Sequence, residues 1–337
     1  MRPAWRLLES QRMTADVVLR NAVAAAVMAP SSHNTQPWRF KISDGALDLY
    51  ADAKRQLLVI DRDCRQLVQS CGAALMNARV AIRASGYEAV VTVMLTDRDL
   101  PLHLARIQLG SAHLPTDLDH QLMNAIARRG TNRRSFLARP VAGTLTDALA
   151  MVAQREGVKL VRLEPDQKAA LAPLIQEADS RQYANPEFRE ELTGWLASPR
   201  SRRQDGIPFT EKEYGSRKPF GLGRTMRSPM LGELFATLEE SLVRGAPAVV
   251  VLGTLSDAPP AWLACGQALE AVLLRATTQG FSAAFLNQVL ELPDLRARVA
   301  TLVPGVGHPQ MILRIGVPSE PIERVSPRRE IDDVLDS

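Results

Sequence analysis

The sequence predicts a mixed helix-and-strand chain, of α+β or α/β class, built as two copies of one unit. Three observations predict it. Runs such as "PWRFKI", "LDLYA" and "PAVVVLG" have strand composition and lie between segments of helical period. Two of the helical segments, "CGAALMNARVAIRASGY" (Cys71 to Tyr87) and "CGQALEAVLLRATTQGF" (Cys265 to Phe281), share Cys-Gly-x-Ala-Leu and end in glycine plus an aromatic residue at the same offset. A hydrophobic content of 46% over 337 residues supplies one large core or two ordinary ones, so most of the chain is expected to fold.

In chain order, the first copy opens on a helix holding "LRNAVA" (Leu19 to Ala24) and continues into the polar stretch "PSSHNTQPW" (Pro30 to Trp38). The strands "PWRFKI" and "LDLYA" follow, then the Cys71 helix of about four turns, stopped by Gly86, then the strands "EAVVTVML" and "HLARIQL". The second copy opens on "LMNAIA" (Leu122 to Ala127), an echo of LRNAVA, and carries "RRGTNRRSF" (Arg128 to Phe136) where the first carries PSSHNTQPW. The strands "VKLVRL" and "PAVVVLG", the Cys265 helix and the strand "PQMILRIG" complete it. The two copies are expected to span 14–115, the shorter, and 116–337. Within the second, Ser198 to Pro229 is rich in Gly, Pro and charge, lacks periodicity, and is too long for an ordinary connector; it reads as a lid or as a surface excursion. Met94 and Met123 read as core.

Bulk composition narrows the function. The opening "MRPAWRLLESQRMTADVV" lacks the apolar centre of a secretory signal, and no apolar run approaches the roughly 20 residues that span a bilayer, which predicts a cytoplasmic protein with no membrane segment. A net charge of +4, without interleaved basic and aromatic residues, argues against nucleic acid and suits a small anionic ligand. Cys64, Cys71 and Cys265 have no CxxC spacing and read as reduced structural thiols; His103, His113, His120 and His308 show no ligand spacing, so no metal is expected. There is no GxSxG, HExxH or Walker loop, and "GLGR" (Gly221 to Arg224) lacks the later glycine of a dinucleotide fingerprint.

Pro30, Ser31, Ser32, His33 and Asn34 put two hydroxyls, an imidazole and a carboxamide on one short loop, and Pro37 and Trp38 fix the chain as it enters a strand. An isolated Ser-Ser or Asn is ordinarily a turn satisfying its own backbone; the whole string is equipment for a polar planar ligand.

"APSSHNTQPWRF" resembles the nitroreductase-family motif in which Pro-Ser-Ser-x-Asn followed by Gln-Pro-Trp contacts flavin mononucleotide (FMN), which implicates Pro30, Ser31, Ser32, His33, Asn34 and Gln36 in cofactor binding. "RRGTNRRSF" is similar to the family's Arg-x-Ser-x-Arg/Lys motif, placed on Arg129, Thr131 and Arg133 with Thr replacing Ser. "GFSAAFLNQ" is similar to the segment whose backbone donors face flavin N5, here at Leu286 and Asn287. "SPRREIDDVL" resembles the C-terminal basic signature that reaches the phosphate; Arg328 is the better match and Arg329 the alternative. The resemblance covers most of the chain, with 198–229 as the main unmatched part.

The resemblance implies a three-layer α+β fold of nitroreductase type. Ordinary members are homodimers whose sites draw the two motifs from different subunits. Here the motifs lie on opposite copies, as in the Acg-like branch of fused pseudo-dimers with a lid, which implies a monomer with an internal pseudo-dimer, at most weakly dimeric, and one intact site. It further implies an FMN-dependent oxidoreductase passing hydride from NAD(P)H to flavin and then to a nitro or quinone-type acceptor. The flavin would carry the chemistry, so no catalytic side chain is named. The alternative is an FMN storage protein with its lid closed. A planar arginine fork is the best side-chain partner for the phosphate dianion, with Arg129, Arg133 and Arg328 as candidates, and Arg129 or Arg133 could meet charge developing on the flavin N1 and C2 carbonyl edge while Asn34 reads the pyrimidine edge.

Overall fold

The computed structural model describes residues 14–96, 102–197, 202–208, 241–322 and 326–336. The first unit runs α1 (Ala15–Ala26), β1 (Trp38–Ser43), β2 (Ala46–Ala51), α2 (Arg65–Ala84), β3 (Tyr87–Val93) and β4 (His103–Ala112). The second holds α3 (Asp117–Arg128), α4 (Gly143–Arg155), β5 (Lys159–Arg162), α5 (Pro165–Ala184), α6 (Pro186–Trp195), β6 (Leu196–Ala197) and β7 (Ile207–Pro208). It continues through β8 (Ala248–Thr254), α7 (Pro259–Thr278), β9 (Ser282–Phe285), α8 (Pro293–Leu302), β10 (His308–Gly316), α9 (Ile331–Val334) and β11 (Leu335–Asp336).

One sheet has the order β11-β1-β2-β4-β3 and the other β5-β8-β10-β9. Setting β11 aside, the second order is the first with β5, β8, β10 and β9 standing for β1, β2, β4 and β3, and every neighbouring pair in both is antiparallel. Antiparallel neighbours make the class α+β. The first helices also correspond: α1 and α3 each have 12 residues and a threonine N-cap, Thr14 and Thr116, and Thr116 forms a reciprocal capping box with Asp119. LRNAVA and LMNAIA lie on these helices.

The Cys-Gly repeat has a packing cause. Helices α2 and α7 each have 20 residues, with the cysteine seventh in both, so they begin six residues earlier than the sequence reading placed them. They cross at their glycines. A Cβ on Gly72 would stand 2.3 Å from the Leu263 carbonyl oxygen, and one on Gly266 would stand 2.0 Å from that of Gln69. Only glycine permits this approach.

Around that crossing the core is shared. The largest apolar cluster joins Leu19, Trp38, Phe40, Leu49, Leu75 and Ile107 to Leu263 and Leu274 of α7 and Val334 of α9. The second sheet is covered on both faces, which is why β8 is a continuous apolar run: Val249 and Val251 pack with α5 and α8, Val250 and Leu252 with α4 and α7. The result is a layered arrangement of helices and sheet.

Two expectations need correction. Met94, read as core, is 42% exposed just beyond the edge strand β3, and Met123 is 36% exposed on the outer side of α3, whose buried residues are Asp119, Ala125 and Ile126. Of the proposed lid, residues 198–201 and 209–229 lie outside the described residues. Residues 202–208 are described: β7 pairs in parallel with β6, and Gly206 is hydrogen-bonded to Asn34.

Candidate functional site

The polar loop after α1 closes on itself, the Ser31 hydroxyl accepting from the Gln36 amide at 2.9 Å around a short 3-10 turn, Ser32–Asn34. His33, Asn34 and Gln36 all have left-handed backbone, with φ of 48°, 55° and 51°. Such conformations cost side-chain-bearing residues roughly 1 kcal/mol or more each and persist where surroundings hold them. Here two side chains do the holding. Asn34 donates to the carbonyls of Gly206 (3.0 Å) and Pro327 (3.2 Å) and accepts from Arg328 (2.9 Å), while Gln36 donates to the Gln204 carbonyl (2.7 Å) and accepts from the Arg329 amide (2.8 Å).

The second loop leaves α3 at Arg129. Its guanidinium is buried, donating to the Met28 carbonyl (3.2 Å) at the base of the first loop and standing 3.4 Å from Glu270 of α7. The loop then lies along β9: Thr131 bridges Ala283, and the Asn132 amide donates to the Ala283 carbonyl at 2.9 Å.

Both loops face one cavity of about 570 Å³, inside the roughly 300–1,000 Å³ range of pockets that enclose small ligands and cofactors. Ten of the residues singled out in the sequence line it: Pro30, Ser31, Ser32, His33, Asn34, Arg129, Thr131, Arg133, Asn287 and Arg328. Two do not. Gln36 is buried behind the wall, where its carboxamide ties together the first loop, Gln204 and Arg329. Leu286 is buried in the apolar cluster with α5 and α8, and its amide is already donated to the Ile312 carbonyl at 2.9 Å, so it presents no donor to a ligand. Several lining residues are also engaged with protein: the Asn34 carboxamide has the three partners above, Arg328 donates to Asn34 and to the carbonyls of Ser326 (3.3 Å), Pro327 (2.9 Å) and Met28 (3.4 Å), Ser32 donates to Gln66, and Asn287 accepts from the Ile312 amide (3.0 Å) and points its nitrogen at the Met311 sulfur. Between the two C-terminal candidates, Arg328 is on the wall and Arg329 is not.

Other wall residues were not singled out in the sequence. Arg134 and Arg314 bring the lining arginines to five, against the carboxyls of Glu291 and Glu320, so the cavity is cationic. Gln66 and Ser70 come from the first turns of α2, Gln182 from α5, and Ile60, Phe188 and Ile207 form an apolar patch with Tyr183 and Leu192. Burial, with help from Arg133, lowers the His33 pKa to about 4, so its ring is neutral at neutral pH. His33 Nδ1 and Asn132 Nδ2 are buried without a hydrogen-bond partner among the described residues. A site with arginines, hydroxyls and buried polar atoms needing partners is chemically suited to a polar planar ligand with an anionic end. Among the described residues no group of His, Cys, Asp or Glu side chains is placed to hold a metal ion, and no helix is long and apolar enough to cross a membrane.

Residues 1–158 match the family model described as "Nitroreductase family". The chain is 32% identical over 322 residues to the putative NAD(P)H nitroreductase Rv3131 of Mycobacterium tuberculosis, covering 94% of this chain and 91% of that protein. It is 31% identical over 333 residues to the putative NAD(P)H nitroreductase acg of the same organism, covering 96% of each. Among solved structures, the FMN and NADPH-dependent nitroreductase NfnB from sphigopyxis sp. strain HMH superposes with a TM-score of 0.40 at 20% identity, over 64% of this chain and 98% of that one. Identity above 30% along nearly the whole of both chains decides the matter: the chain belongs to the nitroreductase family.

Proposed function

We propose that this chain binds one FMN in the 570 Å³ cavity and is an oxidoreductase that takes hydride from NAD(P)H and reduces a nitro or quinone-type acceptor. The observation that carries the reading is the convergence of two unlike loops, Pro30–Asn34 after α1 and Arg129–Arg133 after α3, with Arg328, on one cationic cavity. The residues fit the cofactor. Arg133 and Arg328 offer guanidinium groups to a phosphate dianion; the serine hydroxyls, the neutral His33 and Asn132 offer hydrogen bonds to the ribityl chain and the ring edge. Asn34 acts one step back, holding Arg328 and the left-handed backbone of its own loop in place. When bound, FMN supplies the chemistry, accepting hydride from nicotinamide and passing the electrons on. The chain's residues bind it, orient it and exclude water.

The matching strand orders and the glycine crossing of α2 and α7 support an internal pseudo-dimer made by duplication, with units 14–115 and 116–337, acting as a monomer. One observation favours a second reading, FMN storage: residues 202–208 are pinned to the first loop by the Gly206–Asn34 and Gln204–Gln36 bonds, and Ile207 of β7 and Phe188 of α6 line the cavity, so the described part of this stretch forms one side of the site. Two measurements separate the readings. FMN released from pure protein is expected near one per chain; a value near two or zero refutes the one-site account. Anaerobic bleaching of the bound flavin by NADPH marks an enzyme, and flavin that stays oxidised marks a store.

A further inference from the structure

The wall beside the apolar patch contains a carboxyl for which cofactor binding has no use. Glu291 follows the 3-10 turn Asn287–Leu290 that leads out of β9. Its oxygens accept from Gln66 Nε2 of α2 at 2.9 Å and Gln182 Nε2 of α5 at 2.6 Å, and Gln66 in turn accepts from the Ser32 hydroxyl. The cofactor loop, α2, Glu291 and the insertion thus form one hydrogen-bonded wall of the cavity.

Its direct partners among the described residues are two neutral amides and no cation. The charged groups around it are otherwise engaged. Arg65 of α2 donates to the carbonyls of Leu290 (2.9 Å) and Gln310 (3.1 Å); Asp61 caps α2 by accepting from the amides of Gln66 (2.9 Å) and Leu67 (2.8 Å); Asp179 of α5 accepts from Gln288. Burial raises the pKa of Glu291, opposed by its two amide bonds and by Arg65. A carboxyl held this way keeps its proton at a higher pH than an exposed one, and each oxygen retains a lone pair beyond its amide bond.

We propose that Glu291 is a catalytic residue that protonates the acceptor reduced in this cavity. The proposal rests on the oxidoreductase reading above. Bound FMN, once reduced, would supply a quinone with an electron pair as hydride and be oxidised in turn, and the quinone would need one further proton to become a hydroquinone. That proton leaves the carboxyl of Glu291: its O–H bond breaks as a new O–H bond forms on the quinone oxygen. The carboxylate left behind is held by Gln66 and Gln182 until water returns a proton.

The test compares wild type with Glu291→Gln, near-isosteric and able to keep both amide contacts by reorienting. Protein loaded with FMN is reduced photochemically, so that no nicotinamide is needed, and mixed with benzoquinone or with ferricyanide, which takes electrons without a proton. The ratio of the benzoquinone to the ferricyanide rate is expected to fall about 100-fold in the variant, the lower end of what general acids contribute. That ratio should decline with rising pH in wild type only. Independently of activity, the infrared difference spectrum of flavin-free protein between acid and alkaline pH should contain a carboxyl C=O band that the variant lacks. An unchanged rate ratio, or no band assignable to Glu291, overturns the proposal. Failure to bind FMN, or reduced flavin that neither acceptor oxidises, instead overturns the oxidoreductase reading beneath it.

Discussion

Substituting Gly266 by alanine tests whether the repeated Cys-Gly pair is a packing device. The added Cβ would stand 2.0 Å from the Gln69 carbonyl oxygen, 2.7 Å from its carbonyl carbon and 2.9 Å from its Cα, where ordinary contact begins at 3.4 Å. All three atoms are backbone, so no side chain can rotate away and the helices must part by more than 1 Å. Overpacking of this kind costs about 1–3 kcal/mol, and a rigid backbone obstacle puts it near the upper end. Against this, replacing glycine by alanine in a helix gains about 1 kcal/mol, leaving a net loss of about 2 kcal/mol. Gly194, exposed in α6 with nothing within 4 Å of an added Cβ, is the control, and Gly194→Ala is expected to gain about 0.5–1 kcal/mol. Urea unfolding with both variants reads the difference. FMN affinity should fall with Gly266→Ala alone, because Ser70 of α2 and Leu269 of α7 line the cavity on either side of the crossing. A Gly266→Ala protein as stable as its parent would refute the reasoning.

Two further outcomes follow from the site. His33 has a folded pKa of about 4 against 6.5 unfolded, so the unfolded chain binds more protons between these values and stability falls as pH drops through that window, by about 3 kcal/mol in all; His33→Asn, which suits the left-handed backbone, should lose less, and parallel pH–stability curves would contradict this. Arg133→Ala should weaken FMN binding by roughly 1.5–3 kcal/mol, about 10- to 150-fold, and raise the His33 pKa measured by NMR in flavin-free protein; unchanged affinity removes Arg133 from the phosphate site.

The parts of this molecule that were legible in sequence are those whose cause is local. Strand composition located β1, β2, β3, β4, β5, β8 and β10, and four short motifs supplied ten residues of the cavity wall. The start of α2 was missed because Arg65, Gln66, Gln69 and Ser70 are buried although polar: they face the cavity, α7 and the buried carbonyls of Leu290 and Gln310, a use that no apolar period announces. Gln182, Phe188 and Glu291 escaped notice for a related reason. Each sits in an ordinary stretch and acquires its place only when the insertion after β5 folds back over the first loop. Leu286 and Gln36 show the converse: a motif names positions without saying that a backbone amide is donated to β10 or that a carboxamide ties neighbouring loops together.

The parallel pairing of β11 with β1, Phe40 opposite Leu335 and Lys41 opposite Asp336, imposes an order of events during biosynthesis. Arg328, on the stretch leading to that strand, is translated nearly 200 residues after Arg134, an interval of about 10–40 s at 5–20 residues per second. Through that interval a nascent chain owns both cavity loops but neither the Pro327 carbonyl nor the Arg328 guanidinium that help fix Asn34. The left-handed loop therefore has to wait for these anchors, and this part of the cavity wall can be completed only once the last residues of the chain have been made.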